Sequence, residues 1–360
     1  MEEENKTPEN NQPQNEGTTP SQAEAQNMEQ VTAPAPVIEK SPMQKDLEEL
    51  NHAVMKIRKE IGKIIVGQDD TLELLMIGML SGGHILLEGV PGIAKTLTAK
   101  LLSKTLSVDF SRIQFTPDMM PTDVIGTNVF NVKTSDFEFK SGPIFSNIVL
   151  IDEINRAPAK TQSALFEVMQ EQQITLDGTE YKMEYPFFVI ATQNPVEQEG
   201  TYKLPEAQLD RFLFRINMSY PSLQEETDIL MRFKNDTVST KEVDLDAVLS
   251  VSQMKQLQET ISKVHVKDEL VNYIAQMVHE TRNNASLFLG ASPRASLAIL
   301  YTAKTAAAMA GRDFVTPDDI RKVTVPVLNH RIILSPDREM EGVEIEEVID
   351  EIIEKIEVPR

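Results

Sequence analysis

The stretch Glu88-Gly89-Val90-Pro91-Gly92-Ile93-Ala94-Lys95-Thr96 is a glycine-containing loop that ends in Lys-Thr. The apolar run His84-Ile85-Leu86-Leu87 precedes the loop, and residues 97–106 follow it with leucines at helical spacing. A strand, such a loop and a helix form the context of a phosphate-binding loop, whose backbone N–H groups and helix N-terminus attract anionic oxygens. The stretch therefore predicts a phosphate site in which Lys95 neutralises the β- and γ-phosphates and the Thr96 hydroxyl ligates Mg²⁺.

One position departs from the G-x-x-x-x-G-K-[ST] pattern of such loops. Ala94 occupies the place of the second glycine, and alanine tolerates a positive φ less readily than glycine does. On this loop alone, an ordinary strand–helix turn is the alternative to a nucleotide site. The choice between them depends on the rest of the chain.

Composition indicates a folded protein without disulfides. The chain has 360 residues, of which 41% are hydrophobic and 25% charged, and it contains no cysteine. This length is typical of two folded domains with tails. The five histidines are scattered without ligand spacing, which argues against a zinc site. The chain has no apolar run of transmembrane length and no basic-then-apolar start, so we expect a cytoplasmic protein without direct membrane insertion.

The charge balance argues against nucleic acid as a partner. The net charge is −21, whereas affinity for nucleic acid depends on lysine and arginine that neutralise phosphates. The acidity is concentrated at the two ends: residues 1–44 and residues 341–360 each contain eight acidic and two basic residues. A local basic channel in the long middle segment is therefore not excluded.

Periodicity divides the chain into four parts. Residues 1–44 are rich in Glu, Gln, Asn, Pro and Thr, which predicts a disordered acidic tail. Residues 45–222 alternate apolar strands with helical patterns, and residues 223–340 contain helical patterns. Residues 341–360 predict an acidic amphipathic helix that packs on the helical domain; a partner-binding or oligomer helix is the alternative.

A second informative site follows a buried strand. The apolar run 148–151 ends in Asp152-Glu153, and the carboxyl ends of parallel strands are where open α/β sheets bind ligands. Asp152 is a candidate for the Mg²⁺ shell, and Glu153 for polarising an attacking water. The alternative is a pair of solvated acids, which the nearby phosphate loop disfavours. The strand 187–191 similarly ends near Asn194, which either orients water beside a γ-phosphate or forms only a turn.

Two hairpins and one isolated arginine complete the pattern. Polar residues 133–136 separate two short strands, and Asp177-Gly178 between β-prone runs is a strong hairpin signal. Arg211 follows Asp210 without a local explanation. It is either a salt-bridged surface residue or a charge presented to a neighbouring subunit.

Six motifs in this order resemble the MoxR family of AAA+ ATPases, and the resemblance covers residues 45–340. The motifs are Gly89-Val90-Pro91-Gly92-Ile93-Ala94-Lys95-Thr96, Ile113-Gln114-Phe115-Thr116-Pro117-Asp118, Asp152-Glu153-Ile154-Asn155-Arg156-Ala157-Pro158, Ala191-Thr192-Gln193-Asn194-Pro195, Leu204-Pro205-Glu206-Ala207-Gln208-Leu209-Asp210-Arg211-Phe212 and Gly290-Ala291-Ser292-Pro293-Arg294. An alanine at position 94 is the form that this family uses. The resemblance implies an α/β fold: an αβα AAA+ P-loop core with a five-stranded parallel sheet, followed by an α-helical lid.

The resemblance also implies roles for individual residues. Lys95 and Thr96 correspond to Walker A, and Asp152 and Glu153 to Walker B, with Glu153 as the catalytic base. The remaining correspondences are Asn194 with sensor 1, Arg294 with sensor 2, and Arg211 with an arginine finger that acts in trans. The implied nucleotide-binding set is Val66, Gly67, Gly89, Val90, Pro91, Gly92, Ile93, Ala94, Lys95, Thr96, Leu97, Asp152, Asn194 and Arg294, with Thr96 and Asp152 ligating Mg²⁺.

The activity that follows from the resemblance is Mg-dependent ATP hydrolysis in a homo-oligomeric ring, expected to be a hexamer. Relatives of this kind remodel proteins in a chaperone-like manner, commonly with von Willebrand A domain partners. The segment after Phe115 and the hairpin at 173–183 resemble inserts that face a central pore. One alternative is a DNA-associated AAA+ motor, which stimulation by single-stranded DNA would support. The other is a scaffold that binds ATP and hydrolyses it negligibly.

Overall fold

The computed structural model describes residues 41–90, 92–195, 200–234 and 245–359. The predicted disordered tail therefore lies almost wholly outside the described residues, as does Pro91 of the phosphate loop. The first described helix begins after Ser41, whose side chain and that of Gln44 cap it reciprocally. No helix in the described part of the chain is long and apolar enough to cross a membrane.

Strands and helices alternate through residue 218, and helices dominate after it. The strands of the described residues are β1 (Ile85–Gly89), β2 (Phe110–Gln114), β3 (Gly126–Asn131), β4 (Asp136–Ser141), β5 (Ile148–Asp152), β6 (Gln173–Leu176), β7 (Thr179–Lys182), β8 (Phe188–Gln193), β9 (Phe214–Met218), β10 (Leu287–Leu289) and β11 (Ile333–Leu334). The α-helices there are α1 (Pro42–Gly62), α2 (Asp69–Leu80), α3 (Lys95–Thr105), α4 (Pro121–Ile125), α5 (Ala159–Glu171), α6 (Glu206–Leu209), α7 (Leu223–Phe233), α8 (Val251–Ser262), α9 (Asp268–Asn283), α10 (Pro293–Met309), α11 (Pro317–Leu328), α12 (Pro336–Met340) and α13 (Ile345–Lys355).

The central sheet has five parallel strands in the order β2-β5-β8-β1-β9. Strand β1 lies between β8 and β9, with Ile85 opposite both Ile190 and Phe214. Strands β1 and β5 are buried along their whole length, as expected of parallel strands covered on both faces. The predicted five-stranded parallel core is thus confirmed. The edge strand β9 was not recognised from its sequence.

Alternate residues of each central strand belong to different hydrophobic cores. Ile85 and Leu87 of β1 join a core with α1, α2, α3 and the helical region. Leu86 joins a second core with Phe166 of α5. Because neighbouring side chains of a strand point to opposite faces, the two cores show that helices cover both faces of the sheet.

Two antiparallel hairpins project from the sheet connections, as predicted. The turn between β6 and β7 has positive φ at both Asp177 (50°) and Gly178 (82°), which is the twist that a two-residue hairpin needs. The hairpins β3–β4 and β6–β7 contact each other through Phe139 and Tyr181, whose ring centroids are 4.1 Å apart. The two inserts therefore lie side by side.

The region after residue 245 is a helical bundle with one short β pair. Strands β10 and β11 are antiparallel, and helical periodicity had not revealed them. Helix α13 packs on α9 and α11, with Val348, Ile349 and Ile352 buried. The prediction that the last helix packs on the helical domain is confirmed.

The buried face of α13 yields a stability prediction. Replacing Ile349, which is fully buried, by alanine leaves a cavity and is expected to lower the free energy of unfolding by about 2–5 kcal/mol. Denaturant unfolding followed by circular dichroism measures this change. Asp350→Ala on the exposed face of the same helix is the control and is expected to change little. Equal effects of the two substitutions would contradict the packing of α13.

Candidate nucleotide-binding site

The phosphate loop contains two left-handed residues at the start of α3. Gly92 has φ 89° and Ala94 has φ 62°, so the alanine adopts the conformation that the loop pattern reserves for glycine. Neighbouring side chains hold this backbone: Gln68 Nε2 donates to the Ile93 carbonyl at 2.7 Å. The Thr98 hydroxyl lies 3.1 Å from the Ala94 carbonyl. These contacts offset the cost of about 1–2 kcal/mol of a left-handed non-glycine residue.

Lys95 lies at the mouth of the loop with its ammonium group against carbonyl oxygens. Its Nζ donates to Gly89 O at 2.6 Å and to Gln193 O at 3.5 Å. Burial lowers the pKa of Lys95, and the carboxylates of Asp152, Glu153 and Glu88 oppose that shift. The side chain thus holds a positive charge among three carboxylates, in a position suited to anionic phosphate oxygens.

Thr96 and Asp152 form an oxygen pair that fits Mg²⁺. Thr96 Oγ1 donates to Asp152 Oδ2 at 3.4 Å, and hydroxyl and carboxylate oxygens are the ligands that Mg²⁺ prefers. Asp152 is buried and is also held by Thr192, whose hydroxyl donates to Oδ1 at 3.2 Å. Arg112 Nε donates to Oδ2 at 2.6 Å, so one carboxylate oxygen receives hydrogen bonds from both Thr96 and Arg112.

Glu153 adopts a strained backbone directly after β5. Its φ is 58° and ψ 53°, an uncommon conformation for a non-glycine residue that tends to occur at functional sites. Its backbone N–H donates to Thr192 Oγ1 at 3.1 Å. Its carboxylate accepts from Gln114 Nε2 at 2.5 Å and pairs with Arg156 Nε at 3.2 Å. These partners fix the carboxylate at the mouth of the site.

One cavity of about 370 Å³ brings together three of the predicted catalytic residues, Lys95, Glu153 and Asn194, and both predicted Mg²⁺ ligands. It is lined by Gly92, Ala94, Lys95, Thr96, Leu97, Arg112, Gln114, Asp152, Glu153, Thr192 and Asn194. Asn194, the weakest candidate from sequence, therefore shares a cavity with Lys95 and Glu153. Arg112, Gln114 and Thr192 were missed as site residues. Their position at strand ends could have identified them: Gln114, for example, ends β2 and pairs in register with Asp152.

A second, more apolar cavity of about 540 Å³ adjoins the first through Gly92, Ala94 and Leu97. It contains the predicted adenine-pocket residues Val66 and Gly67. Helix α7 contributes Glu225, Ile229 and Phe233 to its lining, a contribution that sequence reasoning missed. Apolar walls beside a phosphate loop suit a flat heterocyclic base.

Arg211 and Arg294 lie away from both cavities. They line a separate cavity of about 240 Å³ with Met169, Gln170 and Asp210. Arg211 precedes β9 by three residues, and Leu213 N donates to the carbonyl of His84 at 2.7 Å. This is the amino-terminal edge of the sheet, and a five-residue strand separates it by about 15 Å from the phosphate loop.

Arg294, which the resemblance places in the nucleotide-binding set, lines neither of the two cavities in its own chain. Arg294 Nη1 lies 3.6 Å from Asp210 Oδ2, which holds it at the edge opposite Lys95. The physical reason is the placement of α10, whose first turn packs beside the segment before β9. The structure instead brings Arg294 and Arg211 together.

Comparisons with known proteins agree with this architecture. Residues 84–214 match the family described as "ATPase family associated with various cellular activities (AAA)", and residues 279–352 match an AAA lid domain. Chaperone MoxR1 of Mycobacterium tuberculosis is 43% identical over 86% of this chain and 83% of its own length. The uncharacterized protein YeaC of Bacillus subtilis is 44% identical over 87% and 97%. A crystal structure of a Cytophaga hutchinsonii protein superposes with TM-score 0.81 at 42% identity, covering 88% of this chain and 98% of its own.

The adenine-pocket geometry yields a prediction for Gly67. Its φ is 74°, and a Cβ there would overlap the Glu225 side chain, which caps α7 through Ser222. Because a Cβ strains this positive-φ backbone and forces the Glu225 carboxylate to rotate away, we expect Gly67→Ala to distort this end of the cavity and weaken binding of a fluorescent ATP analogue, measured by titration. Gly82→Ala is the matched control, because Gly82 also has a positive φ, 71°, and a Cβ there meets nothing within 4 Å. Unchanged affinity in Gly67→Ala would contradict the assignment of this cavity.

Proposed function

The chain belongs to the MoxR family of AAA+ ATPases, and on that premise we propose that it hydrolyses Mg·ATP at the interfaces of a homo-oligomeric ring. The observation that carries the proposal is the convergence of Lys95, Thr96, Asp152, Glu153 and Asn194 on one cavity. These are the residues that bind phosphate, ligate a cation and activate water. No motif of the family is missing from this chain, which favours turnover over a scaffold that only binds ATP.

Each residue of the cavity has a task in this proposal. Lys95 and the loop N–H groups hold the β- and γ-phosphates. Thr96 and Asp152 would hold Mg²⁺, which when bound neutralises phosphate charge. Glu153 accepts the proton of the attacking water, and Gln114 keeps its carboxylate in place. Asn194 orients the same water beside the γ-phosphate.

The site of one subunit is incomplete in this proposal. Arg211 and Arg294 lie at the opposite edge of the sheet from Lys95, so neither reaches the phosphates of its own chain. A head-to-tail ring places one edge of each subunit against the other edge of the next. The proposed role of Arg211 is to stabilise charge on the neighbour's γ-phosphate, a contribution of ~10³–10⁵ in rate in related sites. The ring is expected to be a hexamer.

We further propose that hydrolysis drives chaperone-like remodelling of proteins in the cytoplasm. The hairpin β3–β4 exposes Phe130, Val132 and Phe137, an apolar surface that suits a protein client. Its lysines are offset by Asp136 and Glu138, which disfavours a nucleic-acid client. A von Willebrand A domain protein is the proposed partner, on the strength of the family resemblance.

The catalytic assignment predicts the behaviour of Glu153→Gln. Loss of the base is expected to lower ATP turnover by about 10²–10⁴-fold while ATP still binds, because glutamine preserves the shape of the side chain. Phosphate release and titration with an ATP analogue measure the two quantities. Glu259→Gln, at an exposed position of α8, is the control. A Glu153→Gln protein that turns over at the wild-type rate would exclude Glu153 as the base.

The interface assignment predicts complementation between two inactive variants. Arg211→Ala subunits keep a nucleotide site and Lys95→Ala subunits keep the arginine, so mixing them is expected to restore some ATP turnover. The control replaces Lys95→Ala with the Lys95→Ala/Arg211→Ala double variant, which supplies no arginine. If mixed rings form and release no more phosphate than this control, Arg211 does not act in trans.

A further inference from the structure

Asp210 connects the core to the lid at a single carboxylate. Arg331, from the segment after α11, donates through Nε to Asp210 Oδ1 at 2.8 Å. On the other oxygen, Oδ2, Arg294 Nη1 lies at 3.6 Å and the Ser292 hydroxyl at 3.5 Å. The carboxylate thus lies between two arginines of the lid, Arg331 and Arg294. In the sequence, Asp210 directly precedes Arg211, the core arginine proposed to act at the subunit interface.

Arg331 is a buried cation that binds the backbone on both sides of Arg211. Its side chain is only 4% exposed. Its Nη2 donates to the carbonyls of Phe212 at 2.6 Å and Asp210 at 3.4 Å, and its Nη1 donates to Leu213 at 3.1 Å. Burial lowers the pKa of Arg331, and Asp210 opposes that shift. The guanidinium therefore requires Asp210 as its counter-charge, since an unpaired buried charge is costly.

The residues before Arg331 extend the same contact along β9. Burial lowers the pKa of His330 well below its usual value, so its ring is neutral and Nε2 donates to Phe212 O at 3.0 Å. Asn329 Nδ2 donates to the carbonyl of Arg215 at 3.1 Å. The segment Asn329–Arg331, which we call the lid clamp, therefore holds residues 210–215 of the core.

We infer that Asp210 and Arg331 are positioning residues that hold Arg211 of the core and Arg294 of the lid as one unit facing the neighbouring subunit. This inference rests on the proposed function, in which Arg211 serves the neighbour's nucleotide. The unit is needed because each arginine by itself is weakly held. Arg294 is 61% exposed, and Arg211, also exposed, donates to the carbonyl of Phe166 at 2.9 Å.

In this role, Asp210 and Arg331 affect the position of Arg211 and Arg294 but not the binding of nucleotide to their own chain. Neither residue touches the nucleotide cavities, so altering them leaves the affinity of the chain's own site unchanged. A displacement of about 1 Å in a charge that stabilises a transition state costs about 100-fold in rate. Substitution at these positions therefore lowers turnover at saturating ATP without raising the ATP concentration at half-maximal rate.

The test compares Asp210→Asn with Asp319→Asn in the full chain. The Asp210→Asn substitution keeps an acceptor oxygen for Arg331 and removes the charge that attracts Arg294. Asp319 is the control, because its carboxylate likewise pairs with an arginine, the partly buried Arg312, at 2.6 Å, and both residues lie within the lid. We expect Asp210→Asn to turn over ATP about 10–100-fold more slowly with unchanged affinity for an ATP analogue. Asp319→Asn is expected to lose stability and keep its turnover.

Mixing the variant subunits shows whether Asp210→Asn damages the arginine side or the nucleotide side of the subunit interface. Lys95→Ala subunits carry an intact Asp210 and Arg331, so we expect them to restore turnover to Asp210→Asn subunits. Arg331→Lys, which keeps the charge and lacks the guanidinium fork, is expected to behave in the same way and covers the case that Asp210→Asn fails to fold.

Three results would overturn the inference: turnover within twofold of wild type, a matching loss of affinity, or no restoration on mixing where Arg211→Ala is restored. If Arg211→Ala is not restored either, the interface proposal itself fails, and this inference fails with it.

Discussion

The parallel sheet imposes the constraint on which the rest of the molecule depends. All five strands run in one direction. The carboxyl ends of the strands, which the polar site residues follow, therefore lie at the same edge of the sheet. Lys95, Asp152, Glu153 and Asn194 meet there because β1, β5 and β8 are neighbours. The segment before β9 lies at the other edge for the same reason. One subunit thus presents a nucleotide cavity on one edge and an arginine pair on the other.

The lid clamp links the edge of the sheet that carries the arginines to the edge that carries the nucleotide cavity. Arg215 of β9 forms an ion pair with Glu88, which precedes the phosphate loop directly. The same arginine donates to the carbonyl of Asn329 at 3.4 Å. A continuous set of charged and polar contacts therefore runs from the phosphate loop through β9 to the lid. Through these contacts the lid is linked to the strand that leads into the phosphate loop.

Two of the six non-glycine residues with positive φ in the described part of the chain lie at the nucleotide cavity. Ala94 and Glu153 both adopt left-handed conformations, and both are held by side chains from other segments. Gln68 and Thr98 support the loop, whereas Thr192 accepts the N–H of Glu153. In each case a hydrogen bond from a separate element compensates a conformation that the local sequence disfavours. The departure from glycine at position 94 is therefore tolerated without loss of the loop geometry.

The sequence by itself determined the strand–loop–helix unit, the carboxylates after β5, both hairpins and the helical second region. These features depend on periodicity and turn chemistry within a few residues of chain, and their order identified the family. Only the tertiary structure decided that Arg112 and Gln114 hold Asp152 and Glu153, because those contacts join strands that are 40 and 39 residues apart. It also decided the edge on which Arg294 lies. That position depends on how α10 packs against the core, through a carboxylate 84 residues earlier in the chain, and no local pattern encodes such a contact.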